Sequence, residues 1–290
     1  MNIANAPLII SGNVMGGLGN QLFQIFTIMA VALSCGKQYV FPYDDVTRVG
    51  LNRPTYWNNM LRELKPYTST TLNTITFSMA NETPFVYNST FVNAVCSHKK
   101  HVYLKGYFQS YKYFEHFLKN ILQILKLSVQ KNIIIKLFDA QLRDKTVVSL
   151  HFRVGDYVNY PNMHPIMSKT YYANALTYLK TNAPQITHVL MFYEKGDRGF
   201  LEPTINALKT EFSELCFMTP EHNIPDWSEM LLMSCCSHNI IANSTFSWWG
   251  AYLNETPNKM VCYPSLWYGT DIHAPALTDM FPPDWIKIEA

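Results

Sequence analysis

The stretch His151-Phe152-Arg153-Val154-Gly155-Asp156-Tyr157 puts an imidazole, a guanidinium and a carboxylate within six positions, directly after the apolar run Thr146–Leu150. Such a run reads as a buried strand, so the ionisable groups fall at its carboxyl end. In open α/β sheets that edge faces the crevice where ligands bind. Arginine offers a planar fork of donors that matches two phosphate oxygens. Strand alternation points His151 to the same side as Arg153. Asp156 has three readings: a base, a group that orients a ligand hydroxyl, or the ion-pair partner of Arg153. A solvated turn with one ion pair explains the same residues without a ligand.

Two further stretches carry similar chemistry. Gly16-Gly17-Leu18-Gly19-Asn20 lies between an apolar strand pattern and an apolar helix pattern. Glycines there allow close backbone approach, and a helix N-terminus presents free N–H groups and partial positive charge to an anion. A tight strand-to-helix turn in any α/β fold looks the same. A dinucleotide site would add an acidic residue after the second strand, where Asp44 and Asp45 stand. Asn243-Ser244-Thr245 precedes the aromatic segment Phe246–Leu253. These three residues form an N-cap whose N–H and hydroxyl groups also suit phosphate oxygens. For Trp248 and Trp249, core packing is the commoner role.

Other clusters read as structural. His98-Lys99-Lys100-His101 lacks a third metal ligand, and Cys235-Cys236-Ser237-His238 sits at an apolar helix end. No D-x-D triplet and no recognisable Ser-His-Asp or Cys-His nucleophile context is present.

The elements that must position these residues alternate between strand and helix. The pattern predicts strands at 8–14 and 38–41 around a helix over 22–33. Residues 48–100 show weak periodicity and read as short strands and loops. A strand over 101–110 and helices over 111–125 and 129–142 follow. The second alternation predicts strands at 146–152, 187–193, 238–242 and a last one at 259–263. Helices are predicted from the Ser168 N-cap to 179, and over 202–212, 227–237 and 246–253. Two α/β lobes result, 1–143 and 144–290.

The composition, 48% hydrophobic and 15% charged, is that of a globular protein. A net charge of +2 gives no case for nucleic acid as a partner. The six cysteines form no CxxC pair and suggest free thiols in a reducing, cytoplasmic compartment. The N-terminus shows no basic leader, and the apolar segment 21–35 is too short to span a bilayer. The N-x-S/T sequons at Asn81, Asn88, Asn243 and Asn254 are therefore read as chance or structural and not as glycosylated.

Taken together and in order, GGLGNQLFQ (16–24), LKGYFQSYKYF (104–114), HFRVGDY (151–157), SKTYYANAL (168–176) and LLMSCCSHNIIANSTFSWWGAYLN (231–254) resemble the alpha-1,2-fucosyltransferases of glycosyltransferase family 11. The resemblance implies a GT-B type α/β fold, two Rossmann-like lobes with the active site in the cleft between them. It implies GDP-L-fucose as donor substrate, a terminal galactoside glycan as acceptor, and inversion with no cofactor or metal. Placement on the cytoplasmic side, peripheral to a membrane where glycans are assembled, fits that chemistry. Carried over by position, Arg153 grips the donor diphosphate and His151 lies beside the nucleotide. Gly17, Gly19 and Asn20 lie under the phosphates, with Asn243, Ser244 and Thr245 on the phosphate side of the second lobe. Asp156 is the candidate base. The sequence departs from the family in two places. Val154 replaces a second arginine, and alternation sends its side chain toward the lobe core. Tyr193-Glu194-Lys195 replaces Ser-Asp-Asp, which leaves Glu194 as the nearest carboxylate for the base of the donor. Transfer of another activated sugar, a nicotinamide-dependent oxidoreductase or epimerase, and a non-catalytic glycan-binding protein are the competing expectations.

Overall fold

The computed structural model describes residues 7–47, 52–84, 86–272 and 277–290. The chain divides into two compact units, Met1–Ser128 with Pro275–Pro282, and Val129–Ala274 with Pro283–Ala290. The boundary thus lies before the expected 143/144, and a C-terminal segment returns to the first unit. Helical periodicity over 129–142 marks helices but carries no information on which sheet they pack against. Residues 1–6, on which the reading of the N-terminus partly rests, lie outside the described residues.

In the first unit, β1 (Ile9–Gly12) leads through the glycine loop into α1 (Leu18–Ser34) and on to β2 (Gln38–Tyr39) and β3 (Phe41–Pro42). β4 (Thr68–Ser69), β5 (Ser78–Asn81), α2 (Ser89–Ser97), β6 (Val102–Lys105) and α3 (Leu118–Ile124) follow. The sheet is parallel with order β2-β1-β6-β5, and β3 pairs separately with β4. α1 is apolar nearly all round and buries almost its whole length, so it is a core helix. α2 falls where the sequence reads as loops. Its start is an N-cap, with Asn88 Oδ1 accepting the Phe91 N–H at 2.9 Å.

The second unit holds α4 (Leu127–Leu137, with the division in its first turn), α5 (Asp139–Leu142), β7 (Val147–His151), α6 (Lys169–Asn182) and β8 (His188–Phe192). It continues with α7 (Arg198–Glu211), β9 (Cys216–Met218), α8 (Asp226–Met233) and β10 (His238–Ile240), then α9 (Thr245–Tyr252), β11 (Val261–Pro264) and β12 (Ile286–Ile288). All its strand pairs are parallel, in the order β12-β11-β10-β7-β8-β9. The chain runs outward from β7 to β9, then returns to the other side of β7 with β10. This is the doubly wound Rossmann order, and its switch point lies between β7 and β10. β12 lies beyond the strand expected to be last.

Because the sheet is covered on both faces, β7 is buried at every position. Val148, Leu150, Phe152 and Val154 all belong to the core against α6 and α7. Val154 is 1% exposed, so it fills the core as alternation predicts. Trp248 and Trp249 are fully buried and pack against each other, with Trp248 also against Trp285. Their role is packing. The sequon residues Asn243 and Asn254 are buried as well.

The cysteines depart from expectation. Cys35 and Cys96 form a disulfide that ties the end of α1 to α2, while Cys216, Cys235, Cys236 and Cys262 are free. Their separation of 61 residues hides the pair in a linear reading. No helix among the described residues is long and apolar enough to cross a membrane.

Candidate active site

The Rossmann switch point gathers the second unit's candidate residues. His151 ends β7 opposite Phe192 of β8, and Arg153 follows two residues on. Across the switch point, the chain leaves β10 through Ala242 and Asn243 to Ser244, whose Oγ accepts the Phe246 N–H at 3.3 Å as the N-cap of α9. The two sides are joined. The Tyr157 hydroxyl donates to the Asn243 carbonyl at 3.0 Å, and the His151 ring lies 5.6 Å from that of Phe246. Asn243 Nδ2 donates to the carbonyls of Pro165 (2.9 Å) and Trp267 (3.2 Å).

Arg153 is held on three sides. Nη2 pairs with Asp156 Oδ1, Nη1 pairs with Glu194 Oε1 at 2.5 Å, and the guanidinium lies 5.0 Å above the Tyr157 ring. Burial opposes its charge, but Asp156, Tyr157 and Glu194 outweigh that and leave the group more basic than usual. The contact between Asp156 and Arg153 favours the ion-pair reading of this carboxylate. Gly155 turns the chain between them with φ +41°, and its N–H donates to Asp197 Oδ2 at 3.0 Å.

Burial pushes the His151 imidazole down to about 3, and the Arg153 charge adds to this. It is therefore a neutral donor–acceptor at physiological pH. Among the described residues, His151 Nδ1 and Asn243 Oδ1 are buried with no hydrogen-bond partner. Each such group costs about 1–3 kcal/mol when left unmade, and a polar ligand that reached it would recover that. His164, absent from the sequence reading, stacks on Tyr157 at 4.7 Å. Burial lowers its pKa, with Asp156 opposing and Arg153 reinforcing. Glu229 on α8 was also missed. Burial, reinforced by Asp226, pushes its carboxyl up to about 7.

In the first unit, Gly17 is the N-cap of α1, so Gly19 and Asn20 already belong to the helix. The polar residues of the motif brace the loop. Gln24 Nε2 donates to the carbonyls of Met15 (2.9 Å) and Asn20 (2.8 Å), and Gln21 Nε2 to those of Gly16 and Pro54 (both 2.9 Å). Asn20 Oδ1 accepts from Gln109 Nε2 at 2.9 Å. Glu82, at the carboxyl end of β5, accepts the Phe108 N–H at 2.8 Å. Burial pushes its carboxyl up to about 7 in spite of that bond. His101 and His238 are structural, since each Nδ1 accepts a backbone N–H at 3.0 Å, from Ile9 and Met260 respectively.

A doubly wound sheet with an arginine, a neutral histidine and a helix N-terminus around its switch point describes an α/β protein equipped to hold an anionic ligand. Residues 13–289 match the family described as Glycosyl transferase family 11. The chain belongs to that family.

Among related proteins, an alpha-1,2-colitosyltransferase of Escherichia coli is 29% identical over 189 residues, which cover 63% of this chain and 61% of that protein. A galactoside 2-alpha-L-fucosyltransferase of Caenorhabditis elegans is 25% identical over 291 residues, 94% of this chain and 77% of the other. The chain spans 38% to 61% of the length of the Escherichia coli glycosyltransferases it matches. Its fold is shared with Arabidopsis thaliana FUT1, solved as a mutant in complex with GDP. The TM-score is 0.50 and the identity 11%, over 90% of this chain and 71% of that one. The architecture is therefore of the GT-B type.

Proposed function

We propose that the protein is an inverting glycosyltransferase that moves L-fucose from GDP-L-fucose to the 2-hydroxyl of a terminal galactose on a glycan. The observation that carries the reading is Arg153 at the switch point, flanked by the unpaired polar atoms of His151 and Asn243. Family membership and the names of the relatives support the sugar and the linkage.

In the proposed reaction the acceptor hydroxyl attacks the anomeric carbon and gives up its proton to bulk water, as the bond to the GDP oxygen breaks on the opposite face. Charge then builds on the departing diphosphate. Preorganised donors aimed at that charge lower the barrier. Arg153 supplies a fork of N–H groups, and the α9 N-terminus at Asn243, Ser244 and Thr245 supplies polar side chains and partial positive charge. Gly17, Gly19 and Asn20 are assigned to the phosphates on the same grounds, through the N-terminus of α1. His151, held neutral, is assigned to hydrogen bonding beside the nucleotide, and Glu194 to the donor side. Asp156 fixes the plane of Arg153.

The likeness to a colitosyltransferase supports a second reading, transfer of another nucleotide-activated sugar by the same fold. One assay separates the two. GDP release is measured with GDP-L-fucose, and with GDP-mannose as control, against a panel of galactosides. Acceptor-dependent release with GDP-L-fucose alone is the expected result. Release with neither donor contradicts the proposal.

A further inference from the structure

The guanidinium proposed to hold the donor diphosphate is already engaged. Asp156 takes Nη2 and Glu194 takes Nη1. The two carboxylates differ in kind. Asp156 stands three residues from Arg153, in the same turn, and its side chain is 38% exposed. Glu194 reaches in from the loop after β8 and is 62% exposed, so moving it into water costs little. Its carboxylate lies against Gly155, where a Cβ would meet Oε1 at 3.0 Å. The missing side chain at Gly155 is what leaves that place open.

Resting on the donor reading above, we propose that Glu194 is an exchangeable counter-ion which occupies the diphosphate's place on Arg153 and is displaced when the donor binds. A diphosphate brings more charge and more acceptor oxygens to the arginine fork than one carboxylate does, so the exchange runs toward the ligand. The exchange also sets selectivity. A ligand with a weaker anionic group must compete with Glu194 for the same N–H groups. Donor affinity is thereby held below what Arg153 alone would give, and GDP release after transfer is assisted by the returning carboxylate.

The test is calorimetric titration of the full chain and its Glu194→Gln and Arg153→Ala variants with GDP and with inorganic pyrophosphate, which carries no base. Loss of the competing charge is expected to tighten binding of both ligands to Glu194→Gln by roughly two- to fivefold, the range of an exposed ion pair. Unchanged or weaker pyrophosphate binding by a folded Glu194→Gln variant would overturn the counter-ion assignment. Tighter pyrophosphate with weaker GDP binding supports displacement and adds a contact from Glu194 to the nucleoside. Arg153→Ala addresses the underlying reading separately. If it binds GDP as the wild type does, the donor site itself is misassigned.

Discussion

Arg153 and His151 show how position, more than residue type, sets chemistry. Both follow from the end of one buried strand, yet one carries a charge that two carboxylates pair and the other is held neutral by burial. Replacing Arg153 by alanine is expected to lower turnover by roughly 100-fold or more while the fold persists, because its side chain lies outside the apolar core. A thermal melt checked beside the rate separates the two effects. Glu82 makes a different point about titration. Its carboxyl, raised to about 7 from an ordinary 4.5, holds a proton more tightly in the folded chain than in the unfolded one. The stability this contributes is whole below the unfolded value and is lost as pH rises through the folded one. Glu82→Gln is therefore expected to narrow the gap in Tm between about pH 5 and about pH 8. An unchanged gap would place the titration elsewhere. Neither Glu82 nor Glu229 was legible in the sequence, because burial of a carboxylate is a property of the packing around it.

Among the elements, the strand-to-helix turn before α1 was legible as a glycine loop, but its bracing was not. Gln21 and Gln24 look like ordinary members of an apolar helix until their amides are seen closing on Gly16 and Met15. Gly16 has φ +79°, and a Cβ there would meet Asn20 Nδ2 at 2.9 Å. Gly16→Ala is expected to cost about 1–2 kcal/mol of stability through the left-handed backbone alone. Denaturant unfolding measures it, and a loss near zero would show that the loop rearranges. The Ser168 cap of α6 was predicted from the sequence and is present, its Oγ accepting the Tyr171 N–H at 3.3 Å. Short elements behaved otherwise. β9 and β12 hold three residues each, and α2 lies in a segment rich in Asn and Thr. Their structure comes from neighbours, so periodicity does not reveal them.

At the scale of the whole chain, the alternation of strands and helices gave the fold class, and the order of the motifs gave the family. Strand order, and with it the switch point that explains why HFRVGDY and NST belong to one site, became visible only in three dimensions. The division at 128/129 and the Cys35–Cys96 bond were hidden for the same reason. That disulfide closes a long loop in the unfolded chain, so reduction is expected to destabilise the first unit by about 2–4 kcal/mol. Alkylation of the denatured, unreduced protein should label only the free cysteines, Cys216, Cys235, Cys236 and Cys262. Labelling of Cys35 and Cys96 as well would show that the bond does not form.

The central claim is that Arg153 anchors a GDP-sugar at the switch point of the second unit for transfer to a galactoside. The most direct measurement is the rate of GDP-L-fucose turnover, with and without a galactoside, by the wild type and by a folded Arg153→Ala variant. Galactoside-dependent turnover in the wild type and its near-abolition in the variant are predicted. Equal turnover by the two proteins, or no dependence on the galactoside, would contradict the claim.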